Sequence, residues 1–168
     1  MAVFELFLAD PMAEHHEREV IRETKVSKGS ANKILRELAE RDFLIRERKG
    51  RMVFYRLSTK EPVVRQFKIL TGIYMLKKLV DQLEQHSRRV VLFESCAQGL
   101  DVKGSDIDLF ILGLEKGTVR RLISDFNRKN EERIAPILVD VNEFVQLKNE
   151  DKPLCENIER GKVLWETE

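Results

Sequence analysis

Apolar residues recur along this chain in two rhythms, one of three or four positions and one of two. Val3 to Leu8 is a short apolar segment that reads as a helix ended by Asp10-Pro11. Glu17 to Lys25 reads as a second helix with Val20 and Ile21 as its apolar face. A polar turn, Val26-Ser27-Lys28-Gly29, then leads to Ser30, a residue suited to cap a helix over 31–41. Ala31, Ile34, Leu35, Leu38 and Ala39 repeat there at spacings of three and four, which buries one face. Leu44 to Arg48 and Met52 to Leu57 alternate apolar and polar residues around Lys49-Gly50-Arg51, the pattern of a hairpin. His15 and His16 are adjacent, and neighbours on a helix point apart, so they read as polar surface or turn rather than as a metal pair.

Glu61-Pro62 opens a long helical pattern that reaches about Gln85. Val63, Phe67, Leu70 and Tyr74 form one apolar row, and Ile69, Ile73, Leu76, Val80 and Leu83 form another. Such a helix must bury its apolar surface, against the chain's own domains or against a second copy. Gly72 in its middle weakens it by about 1 kcal/mol relative to Ala and is a place for a kink. Beyond it, Arg89 to Phe93 reads as a strand, Ser95 to Leu100 as a turn with a short helix, and Asp106 to Leu112 as a second strand. A helix over Thr118 to Asn130 follows, carried by Val119, Leu122, Ile123 and Phe126, and then a third strand, Ile134 to Val139. Phe144, Leu147, Leu154 and Ile158 mark short helices, and Val163-Leu164-Trp165 closes the chain. Strands alternating with helices predict an α+β or α/β sheet domain after the helical first part.

At 168 residues the chain suits one large domain or two small ones. The boundaries expected are 1–60, a connecting helix over 61–87, and 88–168. The net charge of +1 says nothing about partners, but its distribution does. Lys25 to Lys60 holds eleven Lys or Arg against four Asp or Glu, whereas Arg88 to the end holds thirteen against sixteen. A basic first part and an acidic second part suggest two modules with separate tasks. Two distant cysteines, Cys96 and Cys155, make neither a disulfide framework nor a zinc site and fit a reducing, cytoplasmic setting. No basic flank precedes a long apolar run at the start, and no run approaches the ~20 apolar residues that span a bilayer.

Helix, turn, helix and basic hairpin, in that order, resemble the winged-helix DNA-binding domain over residues 1–60. The face of helix 31–41 opposite its core carries Ser30, Asn32, Lys33 and Arg36, residue types suited to base edges and phosphates in a major groove. The hairpin carries Arg46, Arg48, Lys49 and Arg51, suited to phosphates or to the minor groove. Double-stranded DNA is the partner this resemblance implies, and a homodimer through the connecting helix is compatible with it.

In the second part, Glu94-Ser95 is followed by ten residues, Cys96 to Ser105, and then by Asp106-Ile107-Asp108. Gln98-Gly99, the block Ser105-Asp106-Ile107-Asp108-Leu109 and the ending Gly161-Lys162-Val163-Leu164 accompany it. Residues 75–168 thereby resemble the minimal nucleotidyltransferases, in the superfamily of kanamycin nucleotidyltransferase and DNA polymerase beta, whose pattern is Gly-Ser, about ten residues, then Asp-x-Asp. The resemblance implies an NTP substrate, a Mg²⁺ (or Mn²⁺) cofactor held by Asp106 and Asp108, and Ser95 at a phosphate. The chemistry is consistent: Mg²⁺ takes oxygen ligands and is commonly held by one or two carboxylates plus phosphates, and residues i and i+2 of a strand point to one side. A small helical, toxin-like partner protein is a further implication of the family.

Two departures stand out. Glu94 occupies the family's glycine position, where it adds bulk and a negative charge beside an expected triphosphate. The third carboxylate of active members would fall at Ala135. Asp140, five residues on, is either a shifted third ligand or the N-cap of a helix with Glu143 as its capping-box partner. The sequence therefore supports a DNA-tethered enzyme that transfers a nucleoside monophosphate to a hydroxyl, a transcriptional regulator whose degenerate second domain only binds nucleotide, metal or a partner, or, more weakly, an adaptor in which that domain serves dimerisation.

Overall fold

Three hydrophobic clusters organise the chain, one in its first part and two on the faces of a sheet in its second. The computed structural model describes residues 2–167, which divide into two compact units between Lys68 and Ile69.

In the first unit, α1 (Ala2–Ala9) buries Val3, Phe7 and Leu8. A three-residue strand, β1 (Glu14–His16), leads directly into α2 (Glu17–Thr24). His16 is the N-cap of α2, its ring accepting from the Glu19 N–H while the Glu19 carboxylate accepts from the His16 N–H. The histidine pair thus forms a strand and a cap rather than a plain turn. The His15 ring packs edge-on to Phe7, with centroids 5.4 Å apart. The next helix, α3 (Lys28–Glu40), starts three residues earlier than the periodicity suggests, because Ser27 and not Ser30 supplies its cap: the Ser27 hydroxyl accepts from the Ser30 N–H. β2 (Leu44–Lys49) and β3 (Met52–Leu57) form an antiparallel hairpin from Leu44↔Leu57 to Lys49↔Met52. The two-residue turn places Gly50 at φ 63°, a conformation glycine adopts without strain. With β1 on the other edge of β3, the three strands run in the order β1-β3-β2. Val20, Leu35, Leu44, Tyr55, Leu57 and Val64 close this core around Phe7.

The long helix α4 (Pro62–Leu83) is unbroken at Gly72 and passes from the first unit into the second. Its two apolar rows have different fates. Leu76, Val80 and Leu83 lie in the core of the second unit, whereas Leu70 and Tyr74 are 60% and 79% exposed.

The second unit is a four-stranded mixed sheet in the order β6-β5-β4-β7. After a 3-10 turn (Glu84–His86), β4 (Ser87–Leu92) pairs antiparallel with β5 (Ile107–Gly113) and with β7 (Lys162–Glu166), while β6 (Ile134–Val139) runs parallel to β5. The parallel crossover is made by α6 (Lys116–Lys129), which buries Val119 and Ile123. β5 alternates between two cores. Ile107, Leu109 and Ile111 join α4 and α6 on one face. Phe110 joins Phe93 and Ile158 on the other, where Phe144, Leu147 and Leu154 of α7 (Val141–Glu150) and α8 (Lys152–Glu159) pack. Among the described residues, no helix is long and apolar enough to cross a membrane.

Two glycines should respond to alanine in opposite directions. A Cβ at Gly72 meets nothing within 4 Å, so Gly72→Ala stabilises by about 0.5–1 kcal/mol. A Cβ at Gly161 would lie 2.5 Å from the Leu92 carbonyl oxygen, where β7 closes on β4, so Gly161→Ala destabilises by roughly 1–3 kcal/mol or more. Thermal unfolding of the two variants checks both signs.

Candidate functional site

The ladder between β4 and β5 builds the site. Leu92 stands opposite Leu109, and beyond them the Phe93 N–H donates to the Asp108 carbonyl at 3.1 Å. The chain leaving β4 therefore turns directly beside the start of β5. The turn becomes α5 (Glu94–Gln98), five residues long and ended by Gly99 at φ 67°. Its first two residues are Glu94 and Ser95, so one hydrogen-bonded corner brings the serine turn to the acidic pair.

Asp108 lies within β5 and is half-buried; Asp106 lies just before the strand and is exposed. Alternation along β5 puts Asp108 on the side of Phe110, the face covered by α7 and α8. Its carboxyl is held above the usual range, first by burial, then by the negative charges of Glu94 and Asp106. Crowded carboxylates of this kind gain from a nearby cation, and both offer the hard oxygen ligands that Mg²⁺ takes. The pair therefore fits a divalent ion that draws its remaining ligands from phosphates and water. Among the described residues, no group of three or more His, Cys, Asp or Glu side chains is gathered for a metal ion.

The two departures from the expected pattern have clear structural forms. Ala135 is the register partner of Asp108 in the parallel ladder, so the strand position beside the acids carries a methyl group. Asp140 lies at the far end of β6, past Val139, which is itself four residues or ~13 Å along the strand from Ala135. There it caps α7: its carboxylate accepts from the Glu143 N–H at 3.0 Å, and the Glu143 carboxylate accepts from the Asp140 N–H at 2.8 Å. Lys116 donates to Glu143 and lies 3.7 Å from Asp140. The Asp140 carboxyl is held below its usual range, first by the Glu143 N–H. The structure does not bring it to the pair.

Glu94 has φ 55°, a left-handed conformation that costs an L-residue about 1–2 kcal/mol and a glycine almost nothing. The backbone at Glu94 has the shape a glycine adopts without strain. Its carboxylate accepts a hydrogen bond from the side-chain amide of Asn157 on α8. Asn157, 63 residues away in sequence, is a site neighbour that no local pattern points to.

In the first unit, the residues singled out for nucleic acid divide between α3 and the hairpin. Lys28, Asn32, Lys33 and Arg36 border an open groove on the exposed side of α3. Asn32 donates to Glu17 at 2.7 Å, Lys33 lies 3.9 Å from Glu37, and the Ser30 hydroxyl accepts from Ser27. Arg46, Arg48, Lys49 and Arg51 are all exposed on the hairpin. Arg48 donates to the Gly50 carbonyl, and Lys49 pairs with Glu14 at 2.5 Å, which raises the lysine's pKa.

A mixed sheet that presents two carboxylates at one strand start, beside a serine turn from the neighbouring strand, defines a class of phosphate-handling α/β domain. The family model described as "Nucleotidyltransferase domain" matches residues 73–164, more than half of the chain, and the protein belongs to that family. Domains of the family transfer nucleotidyl groups from nucleoside triphosphates and typically use a divalent metal such as Mg²⁺. No curated protein is similar enough to the chain to count as a relative.

The electrostatics give a pH test. Asp108 binds its proton more tightly in the folded chain than in the unfolded one, so its ionised form opposes folding. That opposition is absent below the ordinary carboxylate pKa of 3.8 and develops as the pH rises through the higher folded value. In chelator-treated protein, Asp108→Asn should therefore raise Tm at neutral pH, and the gain should vanish as the pH falls below about 4. A gain that is equal at both pH values would show that the carboxylate's charge is not its cause.

Proposed function

We propose that the second unit binds a nucleoside triphosphate with Mg²⁺ (or Mn²⁺) at Asp106 and Asp108 and transfers a nucleoside monophosphate to a hydroxyl acceptor. The observation that supports this reading is the corner where the Phe93 N–H bonds to the Asp108 carbonyl, two residues before Ser95. Asp106 and Asp108 would hold the ion, which when bound would supply charge neutralisation at the triphosphate oxygens. The Ser95 hydroxyl and N–H suit a phosphate oxygen. The acceptor oxygen forms a bond to the α-phosphorus, the bond to the bridging β-phosphate oxygen breaks, and pyrophosphate leaves with the electron pair. The acceptor's proton passes to water or to a base on the acceptor side, because Ala135 supplies no carboxylate beside Asp108. The same absence supports a second reading, in which the domain binds nucleotide with little or no turnover and serves as the sensor of a DNA-bound regulator.

The first unit fits a winged-helix DNA-binding module, with α3 for the major groove and the β2–β3 hairpin as the wing. Its support is the exposed cations on those two elements. The exposed Leu70 and Tyr74 on α4 favour self-association into a homodimer or the binding of a small helical partner.

Two experiments test these assignments. Asp106→Ala with Asp108→Ala should abolish Mg²⁺-dependent NTP binding in calorimetry and radiolabel transfer, and leave binding to duplex DNA unchanged; retained nucleotide binding would remove the site. Arg48→Ala, Lys49→Ala and Arg51→Ala together should weaken binding to all duplexes and flatten log K against log salt by about 0.9 for each phosphate no longer neutralised. An unchanged slope would remove the wing from the interface.

A further inference from the structure

We propose that Asn157 is a positioning residue of the nucleotide site: its side-chain amide holds the Glu94 carboxylate across the turn after β4, and a triphosphate enters by displacing it. The proposal rests on the nucleotide-binding reading of the Asp106–Asp108 edge. Glu94 immediately precedes Ser95 and immediately follows Phe93, whose N–H bonds to the Asp108 carbonyl, so Glu94 stands at the edge of the site. Glu94 keeps a left-handed backbone, φ 55°, that its side chain makes costly. A strained residue persists where other interactions hold it, and the hydrogen bond from Asn157 is one of them.

Asn157 is itself held in place. It precedes Ile158, which is buried with Phe93 and Phe110 on the face that also bears Asp108. α8 therefore borders the site, and Asn157 presents a hydrogen-bond donor to an anion there. In the resting protein that anion is Glu94. Nucleotide binding then has to break the hydrogen bond from Asn157 and swing a negative charge aside, which makes α8 a gate on affinity.

The test is a double-mutant cycle on the full chain, measuring Kd by calorimetry for ATP, GTP, CTP and UTP, each with Mg²⁺. Asn157→Ala should tighten the best-bound nucleotide by about five- to tenfold, the worth of one hydrogen bond that no longer has to be broken. Glu94→Gly should tighten it by at least as much. In the Glu94→Gly background, Asn157→Ala should then change nothing, a non-additivity that a purely structural asparagine would not produce. If Glu94→Gly tightens binding but Asn157→Ala leaves it unchanged or weakens it, the latch is wrong and the nucleotide site stands. Equal effects of Asn157→Ala in both backgrounds would likewise overturn the latch. If no variant binds any of the four nucleotides, the latch and the nucleotide reading fall together.

Discussion

The antiparallel pairing of β4 with β5 is the constraint on which the second unit depends. Val90, Val91 and Leu92 meet Ile111, Phe110 and Leu109 in register, and all six are buried. A slip of one residue would exchange every side chain between the two cores, so the register is strongly held. The last bond of that pairing, Phe93 to Asp108, places the serine turn at the acids. The geometry of the site is thus set by the same apolar burial that holds the sheet together.

On that frame, two exchanges alter the electrostatics without altering the architecture. A methyl group at Ala135 takes the strand position next to Asp108, and a carboxylate at Glu94 takes the turn. In the proposed reading, negative charge is missing where it would receive a proton and present where a triphosphate would arrive. Binding and proton removal are different demands, so a protein with this pattern can keep one while losing the other. Burial first, and then the charges of Glu94 and Asp106, hold the Asp108 carboxyl above its usual range.

The first unit solves a different problem, presenting cations on a small core. Phe7, Leu35 and Leu57 bury one side of each element, and the hairpin and α3 turn their charged sides outward. Several of the polar groups there are already engaged within the unit, Lys49 with Glu14 and Asn32 with Glu17. Such surface pairs are weak, about 0–1 kcal/mol.

Much of this was legible in the sequence because periodicity, capping and spacing are local. The strands over 52–57 and 134–139, the long helix from Pro62 and the capping box at Asp140 follow from residues close to one another in the chain. The strand expected from Asp106 begins one residue later, at Ile107, so alternation along it applies to Asp108 and not to Asp106. Tertiary structure alone decided the rest. β1 is a strand because β3 offers it an edge, not because Glu-His-His favours one. Of the apolar rows of α4, Leu76, Val80 and Leu83 are buried against the sheet and Phe67 packs in the first unit's core, whereas Leu70 and Tyr74 are left exposed. Asp140 is removed from the acids by the length of β6, and Glu94 is joined to Asn157 by the return of α8 to the start of the sheet. Local patterns record what a residue prefers; which distant residue it meets is settled when the cores close.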